Sequence, residues 1–265
     1  MKPFLRWAGG KSWLIKHLDA IKRSRYRNYH EPFLGGGSTF FYLRPAGTAY
    51  LSDLNADLID TYKALKRDAK GVIQILETFS NNEREYYKIR DREYKTRIQR
   101  AAKFIYLNQT SFNGIYRVNL NGVYNVPYGF RTKNFLDRDN LLAAQAALKS
   151  ADIDTIDFFE ISQHIKRHDL IFLDPPYTVS HNNNGFIKYN EKIFSLEDQI
   201  RLSELITAIK RKGAYYILTN AAHKTIEDIF EKGDKKIILN RASRVGGTYA
   251  NRGQTNEYVF TNTVL

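Results

Sequence analysis

The sequence predicts an α/β fold, a sheet domain interrupted by a mainly helical block. Three observations lead there. Strand-forming apolar runs occur early, at 48–54, and again late, at 169–173, 214–219, 236–239 and 257–261. Among the later runs lies 196–212, where Leu196, Ile200, Leu202, Leu205, Ile206 and Ile209 recur near helical spacing; strands alternating with helices argue for an α/β sheet. The stretch 56–109 is charged, Tyr-rich and helical in pattern, with Ile73, Ile75, Leu76 and Phe79 as one apolar cluster. Sitting between the early and the late strands, it reads as an insertion.

Taken in order, the chain opens with Arg6-Trp7-Ala8-Gly9-Gly10-Lys11, a small-residue turn flanked by an indole that could stack on a ring and a cation that could meet a carboxylate. A buried Trp beside a helix start explains the same residues. Next comes Glu31-Pro32-Phe33-Leu34-Gly35-Gly36-Gly37-Ser38, followed by the apolar helical start 39–43. Consecutive glycines let backbone approach a ligand closely and leave N–H groups free to face it. Asp53 ends the early strand 18 residues after Gly35, where an acid can accept hydrogen bonds from ribose hydroxyls. Adenosine-containing cofactors are favoured, and the absence of G-x-G-x-x-G spacing disfavours a nicotinamide dinucleotide. A glycine-rich surface turn with a capping Asp is the plain alternative.

The charge narrows the partner. With 41 Lys+Arg against 28 Asp+Glu, the 265 residues carry a formal net charge of +13, which points to a polyanion: nucleic acid or an anionic membrane surface. The bases are segregated. Residues 1–30 hold eight against Asp19, residues 81–135 hold eleven against four acids, and residues 235–252 hold five with no acid. Three such segments suggest walls of one groove; solvated helix faces are the ordinary reading of any one of them. Eighteen Tyr, 16 Phe and 2 Trp add flat rings able to handle bases. The chain has no Cys, which excludes a disulfide scaffold, a thiol nucleophile and a thiolate metal site. The basic N-terminus lacks a signal-peptide apolar stretch and no run approaches the roughly 20 residues that span a bilayer, so a cytoplasmic location is expected.

Asp174-Pro175-Pro176-Tyr177 follows directly on the apolar run 170–173. Two prolines end sheet pairing and stiffen the backbone at the C-terminal end of the strand, where open α/β sheets bind ligands. They hold a carboxylate beside a ring. An exocyclic amino group on a nucleobase is a poor nucleophile because its lone pair is delocalised. An Asp side chain and a proline carbonyl that accept its two N–H bonds let that lone pair localise, while the Tyr ring stacks on a base drawn from the duplex. An Asp-Pro turn with a surface Tyr is the bland reading of the four residues.

The order of these motifs, with Phe112-Asn113-Gly114-Ile115-Tyr116-Arg117-Val118-Asn119 and Tyr124-Asn125-Val126-Pro127-Tyr128-Gly129 inside the basic block, resembles the DNA adenine methylase family. These are S-adenosylmethionine-dependent N6-adenine methyltransferases, and the resemblance covers nearly the whole chain. It implies a Rossmann-like methyltransferase sheet in 1–55 and 145–265, with a mainly helical DNA-recognition domain containing a β-hairpin in 56–144. It implies that Trp7, Lys11, Glu31, Phe33, Asp53 and Asp174 contact the cofactor and that Gly35, Gly36 and Gly37 wrap it. Asp174, Pro175, Pro176 and Tyr177 match the residues that hold and stack the target adenine. Arg117 matches an arginine that reads a guanine, a chemically sensible bidentate pairing. Phe112 matches an aromatic wedge, and Ile115 and Pro127 match apolar contacts to the central bases, with Arg6, Asn113 and Asn125 completing the DNA-binding set. Arg6 stands where Lys is common and Ile115 where Leu is common, so GATC is the first expectation for the site rather than a deduction.

The resemblance further implies duplex DNA as partner, a monomer in solution, no membrane and no metal, and it allows a cognate restriction endonuclease. His164, His168, His181 and His223 read as ordinary polar residues. The competing readings are an RNA or free-base N-methyltransferase of the same fold, a non-catalytic DNA-binding relative, and a nicotinamide-dependent oxidoreductase.

Overall fold

The structure, a computed structural model, describes residues 1–7, 9–11, 13–22, 25–119, 122–177, 194–242 and 254–263. Ala8, Arg23, His181, Arg244 and Arg252 lie outside the described residues. Seven strands make one sheet: β1 (Tyr29–Glu31), β2 (Ala49–Ser52), β3 (Ala151–Asp154), β4 (Leu170–Leu173), β5 (Tyr215–Ala221), β6 (Lys235–Ala242) and β7 (Gln254–Thr261), in the order β3-β2-β1-β4-β5-β7-β6. The α-helices of the described residues are α1 (Ile15–Ile21), α2 (Ser38–Leu43), α3 (Ala56–Glu77), α4 (Glu83–Asp91), α5 (Arg97–Thr110), α6 (Arg138–Leu148), α7 (Leu196–Arg211) and α8 (Lys224–Phe230). None of them is long and apolar enough to cross a membrane.

Contacts divide the chain into two compact units, Met1–Ser12 with Leu34–Ala46 and Tyr50–Thr155, and Trp13–Phe33 with Gly47–Ala49 and Ile156–Leu265. In the second unit β1 pairs parallel with β4 and β4 parallel with β5, while β7 runs antiparallel between β5 and β6. All four residues of β4 are buried, which is why the strand reads as an unbroken apolar run: a parallel strand covered on both faces has no solvent side to alternate toward. Helix α7 begins in a capping box, with Ser195 and Asp198 each bonding the other's backbone N–H. Its Leu202, Leu205, Ile206 and Ile209 join Ile171, Leu173, Tyr216, Leu218 and Phe260 in one core.

Strand β1 escapes the sequence reading because its residues, Tyr-His-Glu, are polar, yet all three are buried. Partners make that burial tolerable. His30 Nε2 lies 3.0 Å from Asp169 Oδ2. Asp169 also accepts from Asn28 N and Nδ2 through Oδ1 and from Lys166 N through Oδ2. Burial would raise the Asp169 carboxyl, but the hydrogen bonds from His30 and from the Lys166 and Asn28 backbone hold it below the ordinary carboxylate range. Strand β3, Ala-Asp-Ile-Asp, alternates buried and exposed and was likewise not expected.

The first unit is mainly helical, with α3 packed against α5 and α6. Helix α3 is broken at Asp68, whose φ of −150° and ψ of 77° leave the helix. Asp68 Oδ1 accepts from Gly71 N at 2.8 Å and so caps the half that restarts. Asn55, Asn82, Thr96 and Asp137 cap α3, α4, α5 and α6. Much of the aromatic excess is spent here: the buried rings of Tyr62, Tyr86 and Tyr106 fill the core. Their hydroxyls donate to Gly35 O, Val126 O and Ser80 O.

Candidate functional site

The glycine loop leads from β1 into α2, and its conformation shows why glycines stand there. Gly35 and Gly37 have φ of 45° and 65°, a region that side chains disfavour. A Cβ on Gly35 would lie 2.6 Å from Trp7 Cδ1, and one on Gly37 would lie 2.9 Å from the Tyr62 hydroxyl. Asp53, just past β2, ties the loop down: its Oδ2 accepts from Gly35 N at 3.0 Å and its Oδ1 from Asn55 N at 3.0 Å. Burial raises the Asp53 carboxyl, partly offset by backbone N–H groups of Gly35, Asn55 and Leu54.

Trp7 is stacked on protein rings: Tyr116 lies 5.7 Å away at 23° and Phe104 6.4 Å away at 22°. Its indole therefore supports the loop, with the flanking segment 104–116 behind it. Lys11 is buried and donates to Gly9 O at 3.0 Å. Glu31 is buried and accepts the Tyr29 hydroxyl at 2.7 Å. The Tyr29 hydroxyl is driven well above its ordinary range, first by burial and then by Glu31. Phe33 stacks on Phe158 at 5.3 Å and meets Phe194 edge-on.

Asp174 leaves the C-terminal end of β4. The pairing of Leu173 with Leu218 sets Thr219 of β5 beside it, and Thr219 Oγ1 donates to Asp174 Oδ1 at 2.8 Å. Pro175 is buried and Pro176 half-buried, so the turn is rigid and packed. The Tyr177 hydroxyl donates to Glu257 Oε2 at 2.5 Å, and Glu257, on β7, is 1% exposed. Strand partners thus hold both the carboxylate and the ring of the motif.

The segment 111–130 folds back on itself through two isolated antiparallel bridges, Ser111 with Tyr128 and Val118 with Tyr124. Its burial alternates: Val126 and Tyr128 point inward, while Asn125, Pro127, Phe112, Asn113 and Arg117 are exposed and Ile115 is half-buried. The structure brings expected partners together. Phe112 N donates to Pro127 O at 2.9 Å, and Arg117 Nε donates to Asn125 Oδ1 at 2.8 Å. Arg6 is clasped by Asn108, which accepts from its N and donates to its O. A Cβ on Gly114 would lie 2.6 Å from Arg6 Cζ. Burial, then the nearby charge of Arg131, lowers the Arg6 guanidinium. Arg6 Nη1 and Arg131 Nη1 are enclosed with no hydrogen-bond partner among the described residues.

Residues 7–245 match the profile of the D12 class N6 adenine-specific DNA methyltransferases. The chain belongs to that family. Relatives agree over nearly full length. A type II methyltransferase of Lactococcus lactis subsp. cremoris is 31% identical over 274 residues, covering 99% of this chain and 95% of the relative. A type II methyltransferase of Methanocaldococcus jannaschii is 34% identical over 269 residues, with 91% of this chain and 92% of the relative covered. The DNA adenine methylase of Escherichia coli K12 is 29% identical over 251 residues, covering 91% and 88%.

In this methyltransferase the residues that sequence reasoning did not find are the supports: Thr219 beneath Asp174, Glu257 behind Tyr177, and Tyr62 beneath the glycine loop. Glu257 left one signal, as a lone acid in the strand-forming run 257–261. Thr219 left none, since Thr is an ordinary strand residue. No group of three or more His, Asp or Glu suited to a metal occurs among the described residues.

Proposed function

We propose that this methyltransferase takes the target adenine out of duplex DNA and methylates its N6 with S-adenosylmethionine as donor, with GATC as the expected site. The observation that carries the reading is Asp174, held by Thr219 at the end of β4 with the Tyr177 ring fixed by Glu257 in the same turn. A carboxylate that must accept an amino N–H needs a set direction, and a stacking ring needs a set plane. The bound donor supplies an electrophilic methyl group. The chemistry of the donor set suits that cofactor: Asp53, half-buried just past β2, can accept from ribose hydroxyls, and Trp7, Lys11, Glu31, Phe33, Gly35, Gly36 and Gly37 are the other residues we assign to it.

The work of the chain is then position and polarisation. Asp174 and the Pro175 carbonyl accept the two amino N–H bonds of adenine, which directs the nitrogen lone pair. Tyr177 stacks on the extruded ring, and Pro176 keeps the turn from relaxing. We assign residues 56–144 to target recognition, with Arg117 reading a guanine, Phe112 as the wedge, and Arg6, Asn113, Ile115, Asn125 and Pro127 as further contacts. The exposure of Phe112, Arg117, Asn125 and Pro127 on one folded-back segment supports this. On this reading the enzyme is a monomer in solution and cytoplasmic, and the reading allows a cognate restriction endonuclease in the same system.

The test is transfer of labelled methyl to a duplex containing GATC. Asp174→Ala should abolish transfer while duplex binding persists. Full activity in that variant refutes the assignment. Arg117→Ala should lose about 1–3 kcal/mol of discrimination at one guanine; unchanged site preference refutes the hairpin assignment.

A further inference from the structure

Phe130 has two features that folding does not require. Its backbone lies at φ 50°, a left-handed conformation that crowds Cβ against the following carbonyl and disfavours a bulky residue. Its ring is 70% exposed, more than any other large apolar side chain among the described residues. A glycine there would remove the strain and expose no apolar ring. Among the described residues Arg44, Asn113 and His168 are the other non-glycines with positive φ. Arg44 closes α2 by donating its N–H to Phe40 O, and Asn adopts this conformation readily.

The surroundings hold Phe130 in place. Gly129 N donates to Thr110 O at 2.9 Å, and a Cβ on Gly129 would lie 2.5 Å from Ser111 O, so the two segments meet too closely for any other residue. Tyr128 is buried, donates its hydroxyl to Asn81 Oδ1 at 3.0 Å and meets the Phe130 ring edge-on at 4.9 Å. Immediately after it, Arg131 accepts from Asn81 Nδ2 at its carbonyl and has an enclosed Nη1 with no partner among the described residues. Phe112, 53% exposed, lies on the opposite segment of the same Ser111–Tyr128 bridge. The block 81–135 carries eleven bases against four acids. An exposed ring beside cations in a basic block suits stacked bases flanked by phosphates. An apolar protein surface would leave those cations without counter-charge.

We infer that Phe130 is a second stacking residue of the recognition segment, pressing its ring against the bases of the duplex beside the target adenine. The inference rests on the adenine-DNA reading above and adds a contact to it. Strain at Phe130 is retained because the ring must be presented outward from a rigid base.

The experiment compares wild type, Phe130→Gly and Phe130→Ala by melting temperature, by anisotropy of a labelled duplex carrying the target site, and by methyl transfer. A second duplex places a mismatch opposite the target adenine, where stacking is already broken. Phe130→Gly is expected to melt no lower than wild type, yet to bind the matched duplex about tenfold more weakly, with the defect smaller on the mismatched duplex. Phe130→Ala, which keeps a Cβ at the strained position, shows the same binding loss and melts no higher than Phe130→Gly. Binding of the matched duplex equal to wild type overturns the inference, and so does an equal loss on both duplexes. A lower melting temperature with normal binding assigns Phe130 to packing alone and also overturns it. Wild type that binds the duplex without transferring methyl refutes the methyl-transfer reading, and the anisotropy comparison still decides Phe130.

Discussion

Thr219→Val removes a single oxygen from beneath the Asp174 carboxylate. Thr219 is fully buried, and its Oγ1 lies 2.8 Å from Asp174 Oδ1 and 3.5 Å from Leu173 O. The second contact is long and weak, so the substitution chiefly removes a bond that helps to orient Asp174. A hydrogen bond to a charged group is worth about 1.5–3 kcal/mol. If that direction is needed at the moment of transfer, the loss appears in kcat as a drop of roughly tenfold to a hundredfold. Val fills nearly the same space but takes a hydrogen bond from Asp174, so folding stability should also fall, by about 1–3 kcal/mol. Single-turnover transfer of labelled methyl to a duplex oligonucleotide measures the first quantity and urea denaturation the second. Thr219→Ser, which restores the hydroxyl, should recover most of the rate. A folded Thr219→Val with wild-type kcat would refute the argument that β5 aims Asp174.

Two further outcomes follow from the geometry. Gly35→Ala forces a side chain onto φ 45° and places Cβ 2.6 Å from Trp7 Cδ1; it should cost about 1–3 kcal/mol of stability and weaken S-adenosylmethionine binding by calorimetry, and unchanged melting and affinity would show the loop to be slack. Asp169 has a folded-state pKa held below its unfolded value, so its contribution is fully present above about pH 4 and is lost as pH falls through the folded value. Asp169→Asn should therefore cost roughly 3 kcal/mol near neutral pH and flatten the acid limb of a stability-versus-pH curve below about pH 4; parallel wild-type and variant curves there would contradict the buried pairing with His30.

Legibility from sequence followed the reach of each interaction. The strand 170–173 was visible because burial on both faces leaves an unbroken apolar run, and α7 because one buried face repeats at helical spacing. Strand β1 was not visible: its burial depends on Asp169, 139 positions from His30, and no local pattern marks a polar residue whose partner lies that far away. The sequence offers the indole of Trp7 as a ring able to stack, and its packing against Tyr116 and Phe104, about a hundred positions away, is visible only in the structure. Asp53 was placed correctly at the end of its strand, but its bonds to Gly35 N and Asn55 N, which make it the clasp of the glycine loop, come from the fold.

Sequence alone determined the order of the motifs, the segregation of positive charge and the identity of the chemical groups at the end of β4. These are properties of residue type and spacing, and folding does not alter them. Tertiary structure decided how the groups are aimed. Strand register set Thr219 beside Asp174 across 45 positions, and the fold brought Glu257 to the Tyr177 hydroxyl across 80. The close approach of Gly129 to Ser111 and the exposure of Phe130 beside it are likewise features of the fold. Direction arises from pairing between strands and segments distant in the chain, and pairing is a property of the folded molecule.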